Sequence, residues 1–187
     1  MNDAVNIRIA GFGGQGVMMA GQILAYAATS EDLNGLWSPS YGPETRGGTA
    51  NCAVIVSKKP INSPVFLKSH HLLAFNYPSL IKFMDRVKQG GFILYNNSLV
   101  SETVLVEGVE VIGVPINDIA LELGSIQVIN MVMLGAYLEK SKIFEDSTIH
   151  KVLAYVLGER KAHMVELNVK AIEAGRDFIR KQGLIHA

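Results

Sequence analysis

Two short segments of this chain combine residue types that can hold an anion. The first is Gly11-Phe12-Gly13-Gly14-Gln15-Gly16, in which Gly11, Gly13 and Gly16 satisfy a G-x-G-x-x-G spacing. Glycines allow a tight turn and close backbone approach, and the free amides of a helix that starts there attract phosphate or carboxylate. The second covers residues 38–51, where Tyr41, Glu44 and Arg46 sit among Pro39, Gly42, Pro43, Gly47 and Gly48. Proline fixes backbone angles and glycine permits unusual ones, so the loop is suited to holding one shape. Arg46, between small neighbours, can fork onto a phosphate or carboxylate, while Tyr41 adds a flat ring and a hydroxyl. Local pairing of Arg46 with Glu44 is the structural alternative.

The elements that must position these segments can be read from hydrophobic pattern and turn residues. Residues 5–10 read as a buried strand, 11–16 as the turn, and 17–29 as a helix apolar nearly all round. A short second strand is predicted at 35–38, a loop at 39–48 and a valine-rich third strand at 51–57. A fourth strand at 71–76 leads into Pro78, which suits the first turn of a helix running to about residue 88 and stopped by Gln89-Gly90-Gly91. Residues 92–95 read as a fifth strand, and 104–106 and 110–114 as short strands around Glu107-Gly108. Helices are predicted at 116–123, 128–139, 148–157 and 161–181. Apolar strands alternating with helices predict an α/β fold. The expectation is a single three-layer α/β/α domain over residues 1–187, with a mostly parallel, Rossmann-like sheet and a helix-rich C-terminal third.

Composition narrows the function. Lys plus Arg and Asp plus Glu are 17 each, so the chain lacks the basic excess that nucleic acid or an anionic membrane selects. The longest apolar stretch, near residues 17–28, is shorter than the roughly 20 residues a bilayer needs, and Met1-Asn2-Asp3 leads straight into a strand-like segment without a signal-peptide pattern. Cys52 is the one cysteine, which alone makes no internal disulfide, zinc site or iron–sulfur cluster. A cytoplasmic setting is expected. A dinucleotide site would want an acidic residue near the end of the second strand, whereas Ser38-Pro39-Ser40-Tyr41 follows it here.

Taken together, 11–16 and 41–48 resemble the γ subunit, or γ domain, of pyruvate and 2-oxoglutarate ferredoxin oxidoreductases. Gly47-Gly48-Thr49-Ala50-Asn51-Cys52 and Pro60-Ile61-Asn62-Ser63-Pro64 resemble the 2-oxoglutarate branch more than the pyruvate branch. Asn130-Met131-Val132-Met133-Leu134-Gly135-Ala136 and the stretch from Glu166-Leu167-Asn168 to Gly175 resemble further family segments, so the similarity spans nearly the whole chain. One departure is Ser69-His70-His71, where many members carry an aspartate.

The resemblance implies a complex that oxidatively decarboxylates a 2-oxoacid, passes the acyl group to coenzyme A and sends electrons to ferredoxin or flavodoxin. It further implies α, β and ferredoxin-like δ partner subunits, and thiamine diphosphate, magnesium and [4Fe-4S] clusters on those partners rather than on this chain. Coenzyme A is the one ligand this chain is expected to meet, through Gly11, Gly13, Gly14, Gln15, Gly16, Tyr41, Glu44, Arg46, Gly47, Gly48 and Asn130. No residue is assigned a catalytic or metal-binding role. A stand-alone Rossmann-type nucleotide-binding protein and a purely structural interaction module with an empty turn are the alternatives.

Other chemistry-bearing residues have simpler expectations. His70 and His71, adjacent in a strand, should point to opposite faces and not share a metal. Met18, Met19, Met131 and Met133 should fill core gaps, and Cys52 should be inert. Asn130 either faces the glycine-rich turn or caps its helix. Arg176, Arg180 and Lys181 read as a solvated helix face.

Overall fold

A computed structural model describes residues 4–42, 49–99 and 104–185. Ala4–Phe12 (β1), Asn34–Tyr41 (β2), Thr49–Ser57 (β3), Ser69–Ala74 (β4), Val87–Asn96 (β5) and Glu110–Val114 (β6) form one sheet in the order β2-β3-β1-β4-β5-β6. β1, β4, β5 and β6 run parallel, and β3 is antiparallel to both β1 and β2. The mixed α/β fold with a mostly parallel sheet and a helical C-terminal region matches the expectation. The insertion of β3 between β1 and β2 was not foreseen. In the usual dinucleotide-binding order β2 lies directly beside β1, so the missing acidic residue after β2 has a topological companion here.

The helices are Val17–Ser30 (α1), Tyr77–Phe83 (α2), Ile116–Glu122 (α3), Ile129–Ser141 (α4), Asp146–Leu157 (α5) and Val165–Ile185 (α6). Their distribution over the sheet is unequal. Alternation along β1 sends Ile7 and Ile9 into the larger core with α1 and α4, and Ala10 into a smaller one with Leu80 and Phe83 of α2. α5 packs on α1 and α6 packs on α4, so the first face is covered two helices deep. α4 is buried along residues 129–139, which explains why its sequence is apolar all round. Among the described residues no helix is long and apolar enough to cross a membrane.

Several boundaries differ from the sequence reading. β2 runs through Pro39 to Tyr41, which an edge strand tolerates because one side of it needs no ladder donor. α2 ends at Phe83, a 3-10 turn covers Met84–Arg86, and β5 starts at Val87. Gln89-Gly90-Gly91 therefore lies within a strand. There the pairing with β4 shifts register between Ser69 and His71, and Gly90 takes φ +76°. Residues 104–106 form no strand, only a bridge from Val106 to Val109. The last helix begins with a 3-10 turn at Glu159–Met164.

Arg176 corrects the solvated-face expectation. It shares the inner stripe of α6 with Ile172, Gly175 and Ile179 and is 3% exposed. Its guanidinium pairs with Asp146 at 2.6 Å and approaches Glu173 at 3.5 Å and Glu139 at 3.8 Å. The histidines do not alternate as regular strand neighbours would, because the register shift between Ser69 and His71 leaves their rings 6.4 Å apart in an edge contact. His70 Nδ1 accepts from the Asn6 amide at 2.9 Å, while His71 stacks on Phe92 and lies 3.1 Å from the Tyr137 hydroxyl. Met131 and Met133 are fully buried, and Met18 and Met19 pack against the same core. Cys52 is buried, and desolvation pushes its thiol up to about 12.

Candidate functional site

The parallel strands β1 and β4 are neighbours, yet the chain leaves them on opposite faces of the sheet. β1 feeds α1 on the larger core, and β4 feeds α2 on the smaller one. Such a switch opens a crevice outside the carboxyl ends of the two strands, the usual ligand position in open α/β sheets. Residues 11–16 lie in this crevice.

The glycines there divide into packing, capping and open positions. A Cβ on Gly11 would fall 2.7 Å from Gln15 Oε1 and 2.9 Å from both Phe75 and Val17, so this glycine serves packing. Gly16 sits at φ +75° against Asn130 and caps α1. Gly13 and Gly14 are exposed, and a Cβ on either would meet nothing within 4 Å. α1 has no side-chain cap and no acidic residue in its first turn. Its first amides therefore lack intrahelical acceptors and carry partial positive charge. The open backbone of Gly13-Gly14 and the start of α1 form the part of the turn free to meet a ligand.

Gln15 and Asn130 hold the turn. Gln15 Oε1 accepts from the Phe12 amide at 2.7 Å and from Asn76 Nδ2 at 3.0 Å, while its Nε2 donates to the Phe75 carbonyl at 3.4 Å. Asn130, 4% exposed, donates to the Gly16 carbonyl at 3.4 Å and makes no cap bond to α4. Of its two expected positions, Asn130 thus takes the one facing the turn.

A strip of amides continues along the same edge. Asn76 Oδ1 caps α2 by accepting from the Ser79 amide at 2.9 Å. Asn96, fully buried, donates to the Phe75 carbonyl at 3.2 Å and to Asn117 Oδ1 at 2.9 Å, and accepts from the Ser98 amide at 3.2 Å. Ser98 Oγ donates to Asp118 at 2.8 Å. These bonds tie the ends of β1, β4 and β5 to α3. Asn76, Asn96 and Asn117 escaped the sequence reading because a single asparagine at the end of a strand or the start of a helix carries no signal of its own. The available signal was its recurrence at the ends of two parallel strands.

The second segment reaches this edge from the other side. Phe12 at the end of β1 faces Thr49, and the Gly42 amide donates to the Thr49 carbonyl at 2.8 Å, closing the β2–β3 hairpin. Tyr41 is 69% exposed. Glu44, Arg46, Gly47 and Gly48 lie outside the described residues.

Comparisons with known proteins give consistent matches. A family model described as pyruvate ferredoxin/flavodoxin oxidoreductase matches residues 6–178. The ketoisovalerate oxidoreductase subunit VorA of Methanothermobacter marburgensis is 38% identical over 95% of this chain, which spans 37% of that relative's length. The 2-oxoglutarate synthase subunit KorC of the same organism is 33% identical, with 92% of this chain and 95% of the relative covered. A keto/oxoacid ferredoxin oxidoreductase γ subunit from Geobacter sulfurreducens superposes with a TM-score of 0.81 at 30% identity, covering 95% of this chain and 99% of that one. The 2-oxoglutarate:ferredoxin oxidoreductase of Magnetococcus marinus, solved with 2-oxoglutarate, coenzyme A and succinyl-CoA bound, gives 0.88 at 25% identity over 97% of this chain and 32% of that one. Ketoisovalerate and 2-oxoglutarate subunits both match, so the leaning toward the 2-oxoglutarate branch is supported only in part.

Proposed function

The chain belongs to the pyruvate ferredoxin/flavodoxin oxidoreductase family, and on that footing we propose that it is the γ-type subunit of a 2-oxoacid:ferredoxin oxidoreductase complex. The observation that carries this reading is the end-to-end correspondence with the Geobacter γ subunit, each chain covering nearly all of the other. In this reading α, β and ferredoxin-like δ subunits complete the complex. They hold thiamine diphosphate, magnesium and [4Fe-4S] clusters, and ferredoxin or flavodoxin takes the electrons. The single, core-buried Cys52 supports placing the clusters on other chains.

The contribution of this chain is assembly and reception of coenzyme A. Phosphate oxygens of that substrate fit the open Gly13-Gly14 backbone and the start of α1, which has no side-chain cap. Gln15 and Asn130 fix the shape of the turn, Tyr41 ends β2, and Glu44, Arg46, Gly47 and Gly48 lie in the sequence between Gly42 and Thr49, which are bonded at the carboxyl edge. The 2-oxoacid we propose is 2-oxoglutarate, supported by the near-complete coverage of KorC; ketoisovalerate is the competing substrate.

Reconstitution tests the reading. The chain is co-expressed with the α, β and δ subunits of the same organism, and complex formation is followed by size-exclusion chromatography. Viologen reduction is measured with 2-oxoglutarate or ketoisovalerate plus coenzyme A. Co-elution and coenzyme-A-dependent turnover that disappear when this chain is omitted are the expected result. Full activity without it, or its separate elution at micromolar concentration, overturns the proposal. The purified chain alone should show no turnover.

A further inference from the structure

The face of the sheet opposite α1 and α4 carries a charge pattern that the coenzyme A edge does not use. Three cations converge on one phenyl ring there. The Arg8 guanidinium carbon lies 5.4 Å from the centre of the Phe83 ring, Lys82 Nζ 5.5 Å and the Arg86 guanidinium carbon 6.0 Å. Arg8 also stacks over Phe66 at 4.8 Å and donates to Asn51 Oδ1 at 3.0 Å. Among the described residues no carboxylate pairs with Arg8, Lys82 or Arg86. Like charges gathered on one ring repel, and Arg8 has five donors for one described acceptor.

The surroundings repeat the imbalance. Residues 60–99 carry Lys68, Lys82, Arg86 and Lys88 against Asp85, and the turn between Val106 and Val109, which pack on the same smaller core, adds Glu107, although the whole chain is neutral. Apolar side chains stand exposed beside these charges: Ile81 is next to Lys82 on the outer side of α2, and Val65 and Leu67 flank Phe66 at 74% and 87% exposure. α2, seven residues long, is the one α-helix described on this face. Mixed apolar and cationic surface on a thin layer is interface chemistry, where aromatic and arginine anchors recur.

We propose that the Arg8–Lys82–Arg86 cluster around Phe83, with the exposed apolar side chains beside it, is the surface on which this chain docks an acidic face of another subunit of its complex. The inference rests on the subunit reading above and adds the face and the chemistry of the contact. A carboxylate from the partner relieves the cation repulsion and takes the free guanidinium donors, while Ile81, Val65 and Leu67 are covered. Exposed apolar side chains beside the cations fit a protein face better than a small anion, which needs a polar cradle.

Charge reversal separates this from the alternatives. Lys82→Glu with Arg86→Glu is compared with Lys151→Glu and Lys181→Glu, an equal charge change on the helical layer. Affinity for the remaining subunits is measured at low and at moderate salt. The first pair should weaken association at least about tenfold at low salt and flatten its salt dependence, because facing like charges lose both attraction and steering; the second pair should leave both unchanged. If the reversed pair fails to fold, Lys82→Gln with Arg86→Gln is read in the same assay and should weaken association about threefold or more. Affinity within twofold of the unaltered chain overturns the docking inference alone. Failure of the unaltered chain to associate overturns the subunit reading and the docking with it. A reversed pair that joins the complex normally but loses binding to RNA or to anionic vesicles assigns the cluster to those ligands and overturns the inference.

Discussion

Gly135 of α4 and Gly175 of α6 bring two helix backbones into direct contact. A Cβ on Gly135 would land 1.9 Å from the Ile172 carbonyl oxygen, and one on Gly175 would land 2.0 Å from that of Val132. The close approach lets Glu139 of α4 sit within reach of Arg176 at 3.8 Å and Arg180 at 3.1 Å, with Lys142 as a further partner. Small residues thus set the distance, and charges at one end set the register.

Gly135→Ala should therefore push the helices apart. Over-packing of this kind costs about 1–3 kcal/mol, and the obstacle here is backbone rather than a flexible side chain. For a chain of this size the melting temperature should fall by roughly 2–4 °C per kcal/mol. Thermal unfolding followed by circular dichroism measures it. An unchanged melting temperature would mean that α4 and α6 are not held at this separation.

The glycine turn supports a paired test. Gly16→Ala puts a side chain at φ +75° and onto Asn130, a strained conformation costing about 1–3 kcal/mol. Gly13→Ala meets open space and should leave the melting temperature within about 1 °C. In the assembled complex, however, its methyl group would stand over the backbone that we propose receives a phosphate. The Michaelis constant for coenzyme A should then rise several-fold. A coenzyme A constant unmoved by Gly13→Ala would take this turn out of the binding site.

Much of this was legible in the sequence, for reasons that can be named. β1, β3 and α1 are apolar runs bounded by glycine or lysine, and their identity survives in the structure. The strand order was not legible, because nothing in residues 34–57 says that the hairpin folds β3, rather than β2, against β1. Arg176 misled for a related reason. Its charge reads as solvent-facing, and only Asp146, Glu139 and Glu173 arriving from three directions make its burial affordable. At the candidate site the glycine spacing and Asn130 were visible, but the Asn76–Gln15–Asn96 strip depends on strands adjacent in space and not in sequence.

Acid should weaken the fold through His71. Burial, with His70 adding to it, lowers this imidazole to about 4 from an ordinary value near 6.5. The unfolded chain then binds a proton that the folded chain refuses, so stability is complete above about pH 6.5 and declines as pH falls toward 4. The largest loss is about 3 kcal/mol. Urea denaturation midpoints between pH 7 and 4 should show this slope, and His71→Phe, which keeps the stacking on Phe92, should flatten it. Equal slopes in the two proteins would exclude His71 as the source.

Arg46 gives the sharpest test of the coenzyme A proposal. In the sequence it lies between Gly42 and Thr49, which are joined at the carboxyl edge beside the end of β1. If its guanidinium meets a phosphate of coenzyme A, Arg46→Ala removes a charge-assisted contact worth roughly 1.5–3 kcal/mol. The Michaelis constant for coenzyme A should rise about 10- to 150-fold, since about 1.4 kcal/mol is a factor of ten. Arg46→Lys should recover only part of this, because it keeps the charge and loses the planar fork. A local structural role, in partnership with Glu44, predicts the opposite division: a lower melting temperature or loss of subunits, with coenzyme A kinetics unchanged in whatever complex remains. Both quantities are read on the same preparation of assembled enzyme. An intact Arg46→Ala complex with unaltered coenzyme A kinetics would leave the open backbone of Gly13-Gly14 and the start of α1 as the sole anion-holding groups of the site.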